Sequence, residues 1–375
     1  MDDNAENEPV QQIPAATPAP INAPAEEKKV KVPIMRSLKA ELVFGEAVRP
    51  PAGHDASYSN QKSAMGHEVF CVRYSPDGQF IAASRGDGNI DVYSTGTGNK
   101  VYHMAHLGDG SPTCSIRFRP NNQSSKTRNV LTSASANGEV KHWHMTSMKC
   151  LHTIVEKDNQ VFALDYRFDG LKFATAGSDY KLRIYDESTK SLQATLTGGY
   201  GRTKSGHSNR VFSVKFSPDD DNVVLSAGWD NTVQIWDIRM DSPVRSCFGC
   251  HVTGDALDLY GNSIITGSWR PDKCLQEWDF RSTNLVREYT WNNTGPTPSM
   301  LYAAQYSKDP TASHVVAGGS GSNEARVFER ESGNLVGIIR DMAQGVYSVD
   351  CHPTMSKVAI GSGDGTVRVV DYKQK

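Results

Sequence analysis

The 375-residue chain is defined first by what it lacks. No apolar run approaches the roughly 18–20 residues of a membrane span, and mean hydropathy is −0.50, so membrane insertion is not expected. There is no excess of either charge: 40 Lys and Arg stand against 42 Asp and Glu, for a net charge of −2. Such a chain offers no basic field to a phosphate backbone, and nucleic acid is not expected as a partner. Cysteine is sparse and odd in number, seven in all, at positions 71, 114, 150, 247, 250, 274 and 351. That excludes a disulfide framework and leaves reduced, small core residues as the default. The opening MDDNAENEPVQQ lacks the charged-then-apolar order of a secretory signal. The expected setting is therefore intracellular, cytoplasmic or nuclear or both. Long helical periodicity is also missing, because apolar residues alternate at period two.

Residues 1–34 have no aromatics and carry six prolines, six alanines and six acids (Asp2, Asp3, Glu6, Glu8, Glu26, Glu27). Little there can offset the entropy of ordering, and a disordered acidic tail is expected. Beyond it the chain repeats itself. VFCVRYSPDGQFIAASRGDGNIDVY (69–93), VFALDYRFDGLKFATAGSDYKLRIYD (161–186) and VFSVKFSPDDDNVVLSAGWDNTVQIWD (211–237) each read as strand, turn, strand, tight Asp turn, strand. Weaker copies occupy 114–144, 256–279, 302–329 and 346–371. The residue closing the third strand falls at Tyr93, Trp143, Tyr185, Trp236, Trp278, Phe328 and Val370, with gaps of 50, 42, 51, 42, 50 and 42. Seven copies at this spacing indicate a radial repeat rather than a row of domains.

The pattern resembles the WD-repeat (WD40) β-propeller family, most fully in the fourth copy: Gly206-His207 before the first strand, Ser226 in the second, Asp230 in the tight turn, and Trp236-Asp237 ending the third. The resemblance implies that His207, Ser226, Asp230 and Trp236 form a buried hydrogen-bonded relay bracing the blade, which suits the demand that buried polar groups be paired. The first copy keeps Gly66-His67 and Asp87 but has Ala83 and Tyr93; the third keeps Thr175, Asp179 and Tyr185-Asp186. The expected fold is all-β: a single seven-bladed propeller of four-stranded antiparallel blades over 35–375. The repeats run approximately over 66–105, 106–150, 151–196, 206–246, 250–290, 300–340 and 343–375. The last copy stops after its third strand, and an open propeller would expose two sheet edges. The alternating LKAELVF (38–44), within 36–46, is expected to complete the last blade.

Catalytic signatures are absent: no nucleophile elbow, Walker loop or HExxH occurs, and the recurrent His and Asp are already assigned to the relay. Cys247-Phe-Gly-Cys250-His251 spells the C-x-x-C-H of haem attachment, but in register it fills the Gly-His slot of the fifth blade, so a structural loop is expected. The chain is thus read as a non-enzyme without cofactor or metal.

Two features rise above the scaffold. Where each first strand begins, the copies place Phe70, Cys114, Phe162, Phe212, Asp255, Tyr302 and Tyr347, five of the seven aromatic. The plain reading is inner-strand packing. The family resemblance instead implies that this slot faces the mouth of the central channel, where peptide ligands insert a side chain. Trp229 and Trp269, in the second-to-third-strand turns of adjacent blades, are expected to extend that face, and Arg85, Arg210 and Arg270 to lie near the rim, able to pair with an acidic ligand. The second feature is Trp-Asp-x-Arg, at Trp236–Arg239 and Trp278–Arg281. It looks like the signature by which propeller substrate receptors dock the adaptor of cullin-4 ubiquitin ligases through Arg239 and Arg281 on the opposite face. The expected function is a non-catalytic scaffold that binds peptide or subunit partners on the top face within a multiprotein complex. The alternative is a ligase substrate receptor.

Overall fold

A computed structural model describes residues 36–45, 67–106, 108–121, 128–198, 206–292 and 297–373. The expectations for the 1–34 tail and for Gly66 lie outside them. The sequence turns make the sheets locally. After the first strand, Val69–Tyr74, the chain reverses at Ser-Pro-Asp-Gly: the Gly78 N–H donates to the Ser75 carbonyl at 2.8 Å, and the Asp77 carboxylate accepts the Gln79 N–H at 3.1 Å. Gly78 sits at φ +71°, and a Cβ there would run into the His352 ring. Only glycine satisfies both demands.

Seven such units form seven sheets. Blades 1 to 6 occupy 69–104, 113–155, 161–196, 211–248, 257–288 and 300–339, and blade 7 occupies 346–371. Each blade is antiparallel, with its first strand innermost. The core lies between blades: Ala163, Ala174 and Ile184 of blade 3 share one buried cluster with Val211, Val214 and Trp236 of blade 4. Among the described residues no helix is long and apolar enough to cross a membrane.

Closure uses the expected segment but divides it. Leu42–Phe44 pairs antiparallel with Val367–Val369 and completes blade 7. Arg36–Leu38 instead pairs parallel with Gly337–Ile339, adding a fifth strand to blade 6. Leu38 packs over Gly337, where any Cβ would collide with it, and joins a buried cluster with Ile339 and Met342. Between the two strands, Glu41 pairs with Lys357 at 2.7 Å and its N–H donates to the Val369 carbonyl. Phe44 then stacks on Tyr93 of blade 1 at 4.9 Å. The nine residues Arg36–Phe44 therefore fasten blades 6, 7 and 1.

One irregularity recurs and sets up the site. In blades 1, 2, 3, 4, 6 and 7 the inner strand slips by one residue against the second strand, at Phe70, Cys114, Phe162, Phe212, Tyr302 and Tyr347. A bulge leaves its extra residue out of the ladder and re-aims its side chain.

Candidate functional site: an aromatic chamber closed by ion pairs

The bulged residues meet at one end of the channel. A cavity of ≈ 370 Å³ is lined from all seven blades, by Phe70, Cys114, Phe162, Phe212, Asp255, Tyr302 and Tyr347 together with neighbouring inner-strand residues. These are the seven residues that share the recurrent slot in the sequence. The rings form two arcs. Phe162 stacks on Phe212 at 4.8 Å, and Phe212 meets Trp229 at 5.0 Å. Across the chamber, Tyr347 lies 5.8 Å from Phe70 and 5.3 Å from Tyr302, whose hydroxyl accepts the Trp269 indole N–H at 3.0 Å. Cys114 and Asp255 fill the two seams. Burial pushes the Cys114 thiol up to about 12, so it is an uncharged part of the wall. Burial, then Tyr302 and Glu68, raises Tyr347 above its usual value, so this wall too stays un-ionised.

Asp255 closes the floor. Its Oδ2 lies against Arg73 Nη2, and Arg117 Nη2 donates to Oδ2 and Oδ1 at 2.9 and 3.1 Å. The Ser213 hydroxyl completes the set at 3.3 Å from Oδ1. Arg117 Nε turns to Asp165 at 3.1 Å. Beneath lies a smaller polar chamber of ≈ 220 Å³, with Lys215–Asp258 at 2.9 Å and Lys308–Asp350 at 2.8 Å.

These floor residues obey a spacing that the sequence analysis missed. Three positions after each ring residue stand Arg73, Arg117, Asp165, Lys215, Asp258, Gln305 and Asp350. In the six bulged blades the bulge shifts the alternation by one, which is why the third position, not the second or fourth, returns to the channel side. Four of the seven also accept a backbone N–H of the next blade. Asp165 accepts the Phe216 N–H at 2.9 Å, Asp258 that of Tyr306 at 3.0 Å, Gln305 that of Cys351 at 2.7 Å, and Asp350 that of Tyr74 at 2.7 Å. A period-three polar ladder in every copy was the available signal; its mixed signs hid it.

The remaining candidates sort by place. Trp229 is half-buried rather than projecting, held between Phe212, the His251 ring at 6.1 Å and the Arg210 guanidinium at 5.4 Å, with Nε1 donating to Thr253. The segment leading into blade 5 supplies its packing partners His251 and Thr253. Trp269 is 40% exposed. Arg210 is exposed, and Arg270 donates to the Gly249 carbonyl at 2.7 Å. Arg85 is corrected: it is half-buried, donating to Asp91 at 2.7 Å and to Tyr93 Oη at 2.9 Å, so it braces blade 1 and is not a rim contact. On the opposite face Arg239 is held by Asp237 through two bonds of 2.8 and 2.6 Å, and Arg281 is exposed.

In blade 4 His207 Nδ1 meets Asp230 at 2.7 Å, its Nε2 meets Ser226 at 2.6 Å, and the Trp236 indole donates to the same hydroxyl at 2.8 Å. Despite burial, the His207 hydrogen bond and charge hold the Asp230 carboxyl below its usual range. Blade 3 builds a counterpart around Glu156, which accepts from Thr175 and Tyr185. Cys247 and Cys250 are buried, and among the described residues no group of three His, Cys, Asp or Glu could hold a metal ion.

Seven four-stranded blades around a lined channel define a β-propeller with a ligand-sized chamber. The WD domain, G-beta repeat model matches residues 59–94, 148–186, 198–237 and 333–371, and the chain belongs to the WD-repeat family. It is 25% identical over 224 residues to WD repeat-containing protein slp1 of Schizosaccharomyces pombe, covering 59% of this chain and 42% of that protein. To COMPASS component SWD3 of Saccharomyces cerevisiae it is 28% identical over 174 residues, 46% of this chain and 49% of the other. The chain thus spans less than half the length of these two relatives. To the serine-threonine kinase receptor-associated protein of Dictyostelium discoideum it is 25% identical over 332 residues, 88% and 99% of the two chains.

Proposed function

We propose that the chain is a non-catalytic interaction subunit that receives a peptide segment of a partner protein in the aromatic chamber. The observation that carries this is the chamber itself, apolar-walled, open at one mouth and of the size that takes one or two side chains rather than a folded surface. Aromatic walls bury large area at small rotamer cost, the composition of interface hot spots. Among the described residues no histidine lines the chamber, its one thiol is held un-ionised and its floor carboxylate is fully engaged, which suits binding and not chemistry. Membership of a family that includes a named COMPASS component supports a place in a multiprotein complex, although fold alone does not name the partner.

The test is partner capture from native cells with two double variants, each paired with a melting measurement. Phe212→Ala with Trp229→Ala should lose on the order of 2–4 kcal/mol of binding, while stability falls less than the roughly 3–5 kcal/mol of a core Phe→Ala change. Arg239→Ala with Arg281→Ala should leave capture intact. The reverse pattern, with the cullin-4 adaptor among the lost proteins, would move the functional face to the bottom and replace this reading with the ligase one.

A further inference from the structure

Charged groups at the chamber floor decide what the chamber can hold. A carboxylate offers about four lone-pair sites. Those of Asp255 are taken by Arg73 Nη2, by Arg117 Nη2 on both oxygens, and by the Ser213 hydroxyl. The guanidiniums are engaged in turn. Arg117 gives Nε to Asp165, Nη1 to the Ile116 carbonyl and Nη2 to Asp255. Arg73 gives Nη1 to the carbonyls of Val72 and Val349 and to the Ser348 hydroxyl. Glu68, the remaining charged residue of the lining, is not free either. An incoming cation would therefore find aromatic faces but no available carboxylate, and an incoming anion would find no available donor pair. Either would be desolvated without a partner, the costly case for a buried ion. An uncharged apolar group meets no such cost, because Phe70, Phe162, Phe212, Tyr302 and Tyr347 supply the wall it needs.

We infer that the chamber takes an uncharged, apolar anchor, an aromatic or long aliphatic side chain of the partner peptide, and that Asp255 sets this preference by neutralising Arg73 and Arg117 together. The inference rests on the peptide-receiving function proposed above and adds the chemistry of the residue received. Blade 5 is the one blade without the inner-strand bulge, and there the slot holds a carboxylate instead of a ring or a thiol. Its charge is used across the channel, on blades 1 and 2. Without it, the chamber-lining Arg117 would keep only its ion pair with Asp165, Arg73 in the polar chamber beneath would lose its ion pair, and the cup would become an anion seat.

The experiment uses the full chain labelled with 5-fluorotryptophan, the Trp229 resonance being assigned with Trp229→Phe. Four capped pentapeptides are titrated, alike except for a central Trp, Leu, Arg or Glu. The Trp and Leu peptides should shift the Trp229 signal with affinity at least ten-fold above the Arg and Glu peptides, and Phe212→Ala should abolish the shift. In Asp255→Asn, which keeps the shape and removes the charge, the Glu peptide should gain at least ten-fold. Equal or tighter binding of the Arg or Glu peptide to the unaltered chain, still abolished by Phe212→Ala, overturns the inference and leaves the peptide-receiving function standing. An unchanged ranking in a folded Asp255→Asn chain overturns the role given to Asp255. Silence from all four peptides, with partner capture insensitive to the Phe212 and Trp229 changes, overturns the peptide-receiving function itself.

Discussion

Replacing Phe44 by Ala tests how the ring is closed. Phe44 ends the three-residue strand that completes blade 7, is 4% exposed, and stacks on Tyr93 of the first blade at 4.9 Å and 10°. Removing a buried Phe costs about 3–5 kcal/mol, of which roughly 0.5–1.5 kcal/mol belongs to the ring pair itself. The full range is expected here, because the strand has only three residues and Phe44 is its buried end. Leu38→Ala should cost about 2 kcal/mol, the low end for such changes: it loosens only the added fifth strand of blade 6 and leaves blade 7 closed. Urea unfolding midpoints of the full chain give both numbers. A cycle of Phe44→Leu and Tyr93→Leu isolates the contact, since the bond Tyr93 Oη accepts from Arg85 and the one it donates to Asp91 cancel in it. Loss of less than about 1 kcal/mol on Phe44→Ala, or a coupling indistinguishable from zero, would refute closure through this ring pair.

Two further outcomes are expected. His207→Ala should cost roughly 1–3 kcal/mol by leaving Ser226 and Asp230 short of a partner, whereas Asn121→Ala on the exposed loop of blade 2 should cost under about 0.5 kcal/mol; equal losses by calorimetry would dismiss the relay as a brace. Glu187 is buried between blades 2 and 3, where burial alone would raise its carboxyl. Hydrogen bonds and charge from His142 and Lys190 instead bring it from 4.5 to about 2. Its proton affinity is lower folded than unfolded, so its contribution, on the order of 3 kcal/mol, is complete above about pH 4.5 and is lost as pH falls toward 2. Glu187→Gln should flatten stability against pH across that window, and an unaltered acid limb in urea titrations at successive pH values would contradict it.

Period and slot were legible in the sequence because each repeat reports the same position seven times. Phe70, Phe162, Phe212, Tyr302 and Tyr347 could be grouped before any coordinate was known, since sheet periodicity is local and the repeat supplies the alignment. What remained hidden depends on contacts across the ring. Arg73, Arg117 and Asp255 recur by position but not by sign, and their pairing is visible only when blades 1, 2 and 5 face one another. Arg85 was misplaced for the same reason: a strand-end arginine reads as exposed until Asp91 and Tyr93 are seen to hold it. At the closing segment the alternation of Leu38, Ala40, Leu42 and Phe44 is unbroken, so nothing local marks the change of sheet. Gly337 does mark it, as the one place where the outer strand of blade 6 admits Leu38.

Closure and the chamber are linked through the seam between blades 7 and 1. At its outer side Phe44 stacks on Tyr93; at its inner side the Asp350 carboxylate takes the Tyr74 N–H. Two walls of the chamber, Tyr347 and Phe70, stand on either side of that same seam. The floor bonds join Arg73 and Arg117 to Asp255 across the channel and can form only at the diameter the closed ring imposes. A ligand that touches both walls therefore binds the closed form and not an opened one. By mass action, a ligand at one hundred times its Kd adds about 2.7 kcal/mol to closure, comparable with the loss expected from Phe44→Ala. A change at the outer fastening that populates an open ring accordingly lowers the apparent affinity of such a ligand in proportion to the closed fraction lost, without touching the chamber itself.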